Sequence, residues 1–389
     1  MKSIQLKKLS ALSSAILTAT TLTTSNSFAA EMDHSQHGGH DMSHHQGHDM
    51  SQHKSHDTGA AAHIHHGHGK GAWMFEYRFM RMDMDGLLNG TDSVSTQTIS
   101  GTTQAMNGSQ SVTPGKQYQM SPTQMTMDMH MLMVMYGLSD ELTLMGMVNY
   151  LDNEMDMVMH MTMAMNGMQM DMTGKMETSG IGDTVIGGMY KIDNNFTASL
   201  GLSLPTGSID ENVDMNMSGT NPMTGMTMTS SNPGMRAPYP MQLGSGTYDL
   251  IPSITYSDSD GDKFGWGGQA TYTARLSDND NNYTLGNKLE ITGWGKYVVN
   301  HNFLASGRLA IIDWDKIDGQ DPNIMPMMAP TSDPNAQGGT RADLFVGING
   351  YFGKGHMLGL ELGIPIHQDL NGPQMETKSI ISIGYQYIM

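Results

Sequence analysis

The clearest indication of the fold comes from ten consecutive residues, Trp73-Met74-Phe75-Glu76-Tyr77-Arg78-Phe79-Met80-Arg81-Met82. Its aromatic side chains fall at alternate positions, and Glu76 and Arg78 fall between them. Residues at alternate positions share one face of a β-strand, so the segment predicts a strand with an aromatic face and a charged face. Such a strand fits a barrel wall that has lipid on one side and water on the other.

Similar period-2 segments, bounded by turn residues, follow along the whole chain. We predict twelve strands, at 73–82, 125–136, 141–152, 180–191, 196–204, 246–257, 263–276, 285–299, 302–314, 341–352, 357–366 and 377–389. Their connections alternate between short turns and long segments, which is typical of outer-membrane barrels. The sequence therefore predicts an all-β, antiparallel transmembrane barrel of about twelve strands in the outer membrane of a Gram-negative bacterium. A soluble antiparallel sandwich is the alternative, and the aromatic pattern disfavours it.

The N-terminus has the pattern of a secretory signal peptide. Three lysines precede an apolar stretch at 9–22, and the small-residue site Ser27-Phe28-Ala29 follows. We therefore predict a signal peptide at 1–29, a disordered His/Met-rich metal-binding segment at 30–70, and the barrel at 71–389. An even number of strands would leave the segment 30–70 in the periplasm.

Composition limits the chemistry that is available. The chain has no cysteine but has 42 methionines and 17 histidines among 389 residues, so soft metal ions would have to be bound by thioethers and imidazoles. The formal net charge of −18 argues against nucleic acid as a partner. No Ser-His-Asp order, phosphate loop or paired-carboxylate setting stands out, so we predict no enzymatic activity and no catalytic residues.

The segment 30–70 repeats one short motif, as Met32-Asp33-His34-Ser35-Gln36-His37, Asp41-Met42-Ser43-His44-His45 and Asp49-Met50-Ser51-Gln52-His53. Imidazole binds copper and zinc, whereas a thioether selects Cu(I), so their combination favours copper. The alternative is a merely polar linker or a charged tail. The candidate metal ligands of this segment are His34, His37, His40, Met42, His44, His45, His48, Met50, His53, His56, His63, His65, His66 and His68.

Methionines also fill parts of the predicted barrel. Between 125 and 135 every odd position is Met, and Asp128 and His130 share the other face. If that charged face is the lumen, these methionines point at lipid as apolar filler, and the pattern alone leaves both directions open. The run at 155–176 extends beyond the plausible membrane height into a long connection, which favours a soft-metal site, and a looser run follows at 215–235. The candidate ligands of the barrel are His130, Met155, Met157, Met159, His160, Met161, Met163, Met168, Met170 and Met172.

Four short segments carry a family resemblance. They are Gly180-Ile181-Gly182-Asp183-Thr184, Gly201-Leu202-Ser203-Leu204-Pro205-Thr206-Gly207, Met241-Gln242-Leu243-Gly244-Ser245-Gly246-Thr247-Tyr248-Asp249-Leu250 and Gln368-Asp369-Leu370-Asn371-Gly372-Pro373-Gln374. In order and spacing the chain resembles a family of outer-membrane transporters named after the meta-pathway of phenol degradation. The segment 73–90 and the Met-rich strands after it resemble the branch that accompanies copper-handling genes. The resemblance implies a barrel with a transport function.

These observations predict an outer-membrane barrel that binds and transports copper, with the ion as cargo more than as cofactor. Acidic side chains at Glu76, Asp128 and Glu141 would attract cations into the lumen. Silver, outer-membrane lipid and periplasmic copper-handling proteins are the other expected partners. Two alternatives remain: a membrane-anchored protein that sequesters metal without transport, and a channel for small hydrophobic or aromatic compounds.

Overall fold

The computed structural model describes residues 67–260 and 263–389, and nearly all regular structure in them is β. The strands are β1 (Trp73–Gly90), β2 (Asp92–Val94), β3 (Thr102–Gln104), β4 (Gln110–Val112), β5 (Ser121–Gly137), β6 (Leu142–Met163), β7 (Gln169–Ile181), β8 (Thr184–Lys191), β9 (Phe196–Leu204), β10 (Asn212–Thr220), β11 (Thr227–Arg236), β12 (Asp249–Asp260), β13 (Phe264–Arg275), β14 (Tyr283–Thr284), β15 (Lys288–Val298), β16 (Phe303–Trp314), β17 (Asp318–Gly319), β18 (Gly339–Phe352) and β19 (His356–Ile388). One short helix, α1 (Thr96–Ile99), and 3-10 turns at Tyr239–Met241, Pro330–Ser332 and Pro334–Ala336 complete the described part. No helix in these two ranges is long and apolar enough to cross a bilayer.

Eleven strands of the described chain close into a ring in which every neighbouring pair is antiparallel. Their order around the ring is β1, β5, β6, β8, β9, β12, β13, β15, β16, β18 and β19, and β19 pairs again with β1. A closed ring has no unpaired edge, so the backbone groups within the bilayer are hydrogen-bonded to neighbouring strands.

The last strand contributes twice to the wall. As one straight strand its 33 residues would span roughly 110 Å. Its two ends instead lie side by side. Ile388 donates its backbone N–H to the carbonyl oxygen of Gly355, just before the strand begins, at 2.9 Å. Gly372, between the two arms, has a positive φ of 83°, which suits a turn. Counted by its two arms, β19 brings the wall to twelve segments, which confirms the predicted number.

The two faces of the wall differ as the first strand predicted. Trp73, Phe75 and Tyr77 are exposed on the outer face, whereas Glu76 and Arg78 are buried on the inner face. Leu, Val and Ile side chains dominate the exposed face of the other strands as well. The outer face is therefore an apolar belt for lipid, and the inner face lines a mixed lumen.

Several of the predicted connections contain strands, and the longest departure is at 153–179. We expected 153–179 to be a long loop, but β6 continues to Met163 and pairs with β7 through thirteen residues, from Tyr150–Ile181 to Thr162–Gln169. The same pattern that makes a transmembrane strand, alternation of apolar and polar residues, continues here beyond the apolar belt. The resulting β6–β7 extension marks what we call the loop end of the barrel, and β10 and β11 lie beside it.

Segments between strands pack against the inner face at the loop end. Gln119 and Met120 donate their backbone N–H groups to the carbonyl oxygens of Met327 and Met328, at 2.9 Å each. Tyr118 donates its hydroxyl to Asp333 at 3.0 Å, and both burial and that carboxylate raise the pKa of Tyr118. Ala329 is buried in the same apolar cluster as Met125 and Met155. The lumen is therefore narrowed at this end by residues 324–336.

Candidate functional site

The inner face of β5 consists of methionines. Met131, Met133 and Met135 are almost fully buried, while Leu132 and Val134 between them are 61% and 38% exposed on the outer face. All the odd positions from 125 to 135 therefore point into the lumen. At about 3.3 Å per residue this column runs for about 33 Å along the strand.

The structure thus decides between the two directions left open by the sequence. The interpretation in which these methionines face lipid is wrong, because the face that carries Asp128 and His130 is the outer one. Asp128 pairs there with Arg81 (2.5 Å), and His130 bonds the hydroxyl of Tyr77 (2.8 Å). Of the predicted lumen acids, Glu76 is inside, Asp128 is outside, and Glu141 lies exposed beside the turn that precedes β6.

The methionine face of β5 continues across the neighbouring strands, perpendicular to the strand direction. Met125 lies directly opposite Met84 of β1 and opposite Met155 of β6, and Met155 lies opposite Met176 of β7. Directly opposite residues have Cβ atoms about 4.5–5.5 Å apart, so these four thioethers form one row across four strands. Near the other end, Met135 lies opposite Met74 and Met145. We call this continuous inner surface of β1, β5, β6 and β7 the methionine wall.

The structure brings most of the predicted Met ligands together on this wall. The predicted residues Met155, Met157, Met159, Met161, Met170 and Met172 are buried in one cluster, with Met163 and Met168 packed against it. His160 lies on the opposite face of β6. Its Nδ1 bonds Asp171 at 2.6 Å and its Nε2 bonds Thr96 at 2.9 Å.

Sequence reasoning missed more than half of the wall. The members outside the predicted ligand set include Met74, Met80, Met82, Met84, Met125, Met127, Met129, Met131, Met133, Met135, Met145, Met147 and Met176. Met189 of β8, Met215 and Met217 of β10, and Met375 of β19 pack beside them in the same clusters. The apolar residues that alternate with these methionines could have indicated that the methionines face the lumen. Leu132, Val134 and Val148 occupy the alternate positions and are the better lipid-facing side chains.

The remainder of the lumen is polar and charged. Its inner face carries ion pairs, among them Arg341–Asp343 at 3.0 Å, Arg308–Glu361 and Arg275–Asp249. Arg78 and Glu76 pair at 2.5 Å on β1. Because each cation is matched by a carboxylate, these pairs add little net charge. The lumen therefore has one thioether side and one side of neutralised polar groups.

A cavity of about 130 Å³ opens between these two sides near the loop end. Met82, Met84, Met125, Met127 and Met375 line it, together with Trp314 and several glutamine, threonine and proline side chains. Arg341 also reaches it and donates Nη1 to the sulfur of Met82 at 3.8 Å. The cavity is thus apolar and rich in sulfur, with one paired cation at its edge.

Ligands of other types do not converge in the described residues. No group of three or more His, Cys, Asp or Glu side chains is placed there to hold a metal ion. His68 is buried, and its backbone N–H donates to Thr143 at 2.8 Å. The predicted signal peptide and the predicted ligands from His34 to His66 lie outside the described residues.

Comparison with known proteins supports the fold. The sequence matches no family model and no curated protein. Among solved structures, an outer-membrane channel from Pseudomonas putida F1 is similar with a TM-score of 0.52 and 14% identity, over 86% of this chain and 99% of that one. This chain folds as an outer-membrane β-barrel. Its apolar belt and its fold place it in the outer membrane.

Other barrels are less similar. The monoaromatic hydrocarbon channel CymD has a TM-score of 0.44 and 9% identity, over 83% of this chain and 89% of its own. The P. putida toluene transporter TodX has a TM-score of 0.40 and 8% identity, over 83% and 91%. The resemblance to the phenol-pathway family and to its copper branch stays a prediction.

Proposed function

We propose that the barrel is an outer-membrane channel for soft monovalent metal ions, with Cu(I) as its cargo. The observation that carries this proposal is the methionine wall, which lines the lumen from one end of β5 to the other. Thioethers are soft, neutral ligands that select Cu(I) and leave Mg²⁺ and Ca²⁺ unbound. A series of weak neutral sites would let an ion enter and also leave, as conduction requires.

The distribution of methionine between the two faces argues against simple filling. In the described strands the strongly exposed apolar residues of the outer face are Leu, Val, Ile and aromatic side chains, and every strongly exposed Met lies in a connection or at the C-terminus. An apolar filler would be expected on both faces in similar proportion. Within the strands of the ring, Met side chains instead lie on the inner face, where sulfur can meet a passing ion.

Metal flux in proteoliposomes that contain the full chain tests the proposal. Cu(I) kept reduced, Ag(I), Zn(II) and a small aromatic solute are compared in separate preparations. We expect Cu(I) and Ag(I) to pass and Zn(II) to be excluded, because Zn(II) prefers nitrogen and thiolate ligands that the wall lacks. Equal passage of all three metals would overturn the proposal.

The second candidate is passage of small apolar molecules. The cavity beside the wall favours it, because about 130 Å³ is close to the roughly 150 Å³ of an apolar cavity that binds benzene. For such a solute the methionines would act only as an apolar surface. Passage of the aromatic solute without passage of Cu(I) would support this candidate against the first.

A further inference from the structure

Five methionines from three adjacent strands converge on the cavity near the loop end. Met84 lies opposite Met125, and Met82 lies opposite Met127, on the inner faces of β1 and β5. On the other side of β1, Met375 of β19 lies opposite Leu87. Elsewhere the wall presents its sulfurs along a surface, but here they border a half-open cavity.

The other side chains around the cavity disfavour hard ions. Within the described residues, no Asp, Glu or His lines it. Ca²⁺ and Mg²⁺ are usually bound through carboxylates, whereas the oxygen ligands around this cavity are the neutral amides and hydroxyls of glutamine and threonine. A divalent ion would also be repelled by the guanidinium of Arg341 at the edge. A singly charged soft ion meets less repulsion and finds thioethers in place of water.

Arg341 itself is held by polar neighbours. It pairs with Asp343 at 3.0 Å and donates to the hydroxyl of Thr377 at 2.9 Å, while Nη1 approaches the sulfur of Met82. The guanidinium therefore competes with an incoming cation for one of the five sulfurs. Such competition lowers the affinity of the cavity, which suits a site that must release its ion.

Trp314 completes the lining. The face of an indole attracts a nearby cation, and Trp provides the strongest such interaction among the aromatic side chains. Trp314 also allows binding in the cavity to be measured, because its fluorescence emission should respond to a heavy ion bound beside it.

We propose that this cavity is a coordination site for a single Cu(I) or Ag(I) ion, held by the thioethers of Met82, Met84, Met125, Met127 and Met375. It would be the discrete resting place of the ion within the channel. That role rests on the proposed function, whereas binding in the cavity can be measured separately.

The experiment uses full-length protein with the substitutions W73F, W266F and W294F, which leave Trp314 as the only tryptophan. Ag(I) is added as a redox-stable stand-in for Cu(I), and Trp314 emission is recorded. We expect a saturable change, which M82L/M84L/M125L/M127L abolishes. The matched control M131L/M133L/M135L/M147L removes four methionines from the other end of the wall and should keep the change. If the triple Trp variant does not assemble, the difference between wild-type and W314F emission reports the same signal.

Two results would overturn the site: no saturable change with Ag(I), or an equal change in the cavity variant. Flux separates this failure from failure of the channel. Selective Cu(I) flux without a Trp314 response would support the channel and contradict the cavity site. If the cavity variant abolishes the Trp314 response but no barrel shows metal flux, the result would support the cavity site and contradict the channel.

Discussion

Met125 and Met155 lie directly opposite each other on β5 and β6, and both side chains are buried against the lumen. The pair joins the part of the wall inside the apolar belt to the β6–β7 extension outside it. An ion captured by the extension would therefore meet thioethers without interruption on its way into the barrel. Four kinds of variant test whether this arrangement works as the structure suggests.

Replacing the three buried methionines of β5 tests the wall within the membrane. In M131L/M133L/M135L we expect Ag(I) flux to fall by roughly tenfold, equivalent to about 1.4 kcal/mol, because consecutive sites lose their ligand. Folding should persist, since each Met-to-Leu exchange costs less than about 1.5 kcal/mol. The matched control L132M/V134M adds sulfur to the lipid face and should leave flux unchanged. Equal flux in the first variant would contradict the role of the wall.

Removing the competing cation tests the affinity of the cavity. In R341Q/D343N the positive charge is lost without leaving a buried carboxylate unpaired, so we expect Ag(I) to bind more tightly at Trp314, by roughly tenfold. Titration of Trp314 emission measures the change. R308Q/E361Q removes another lumen ion pair and serves as control. Unchanged or weaker binding in R341Q/D343N would show that Arg341 does not compete for the sulfur of Met82.

His160 was a predicted ligand, but its position indicates a different role. Both ring nitrogens already have partners, on Asp171 and on Thr96 of α1, and the ring lies on the face away from the wall. We expect H160Q to leave Ag(I) flux unchanged and to loosen residues 92–120, seen as faster hydrogen exchange there. H130Q, on the outer face of β5, is the control. A loss of metal flux in H160Q with unchanged exchange would restore it as a ligand.

The His/Met-rich segment can be separated from the barrel by deletion. Without residues 30–66 we expect fewer copper ions per molecule by elemental analysis, because the repeated imidazoles and thioethers are gone. The Trp314 response should remain, since all of the cavity residues lie in the barrel. Unchanged copper stoichiometry would instead favour the interpretation of this segment as a polar linker.

The positions of the strands could be predicted because their physical signal is local. Alternation of aromatic and charged residues at 73–79 predicts both the strand and its two faces, and each of the twelve predicted segments corresponds to a strand or to one arm of β19. The point at which each strand leaves the membrane could not be predicted. In β6 the alternation of apolar and polar residues continues beyond the lipid belt, so the predicted end of this strand at residue 152 is too early.

The direction of the methionines was the harder question. Asp128 and His130 indicated a polar lumen face, yet both lie on the outer face, bonded to Arg81 and Tyr77. A charged side chain on the outer face is stable when it is paired and close to the interface, where the cost of exposure to lipid falls. The cavity could not be predicted at all, because Met82, Met127 and Met375 are brought together only when the ring closes.

The most direct test of the methionine wall is Cu(I) flux through barrels in which every methionine is replaced by norleucine, which exchanges sulfur for a methylene and keeps the shape of the side chain. The β-sheet signal of the same proteoliposomes in circular dichroism shows that the barrel is assembled. If the thioethers carry the ion, Cu(I) flux is lost while the circular dichroism spectrum is unchanged. Undiminished Cu(I) flux in the norleucine barrel would contradict the account.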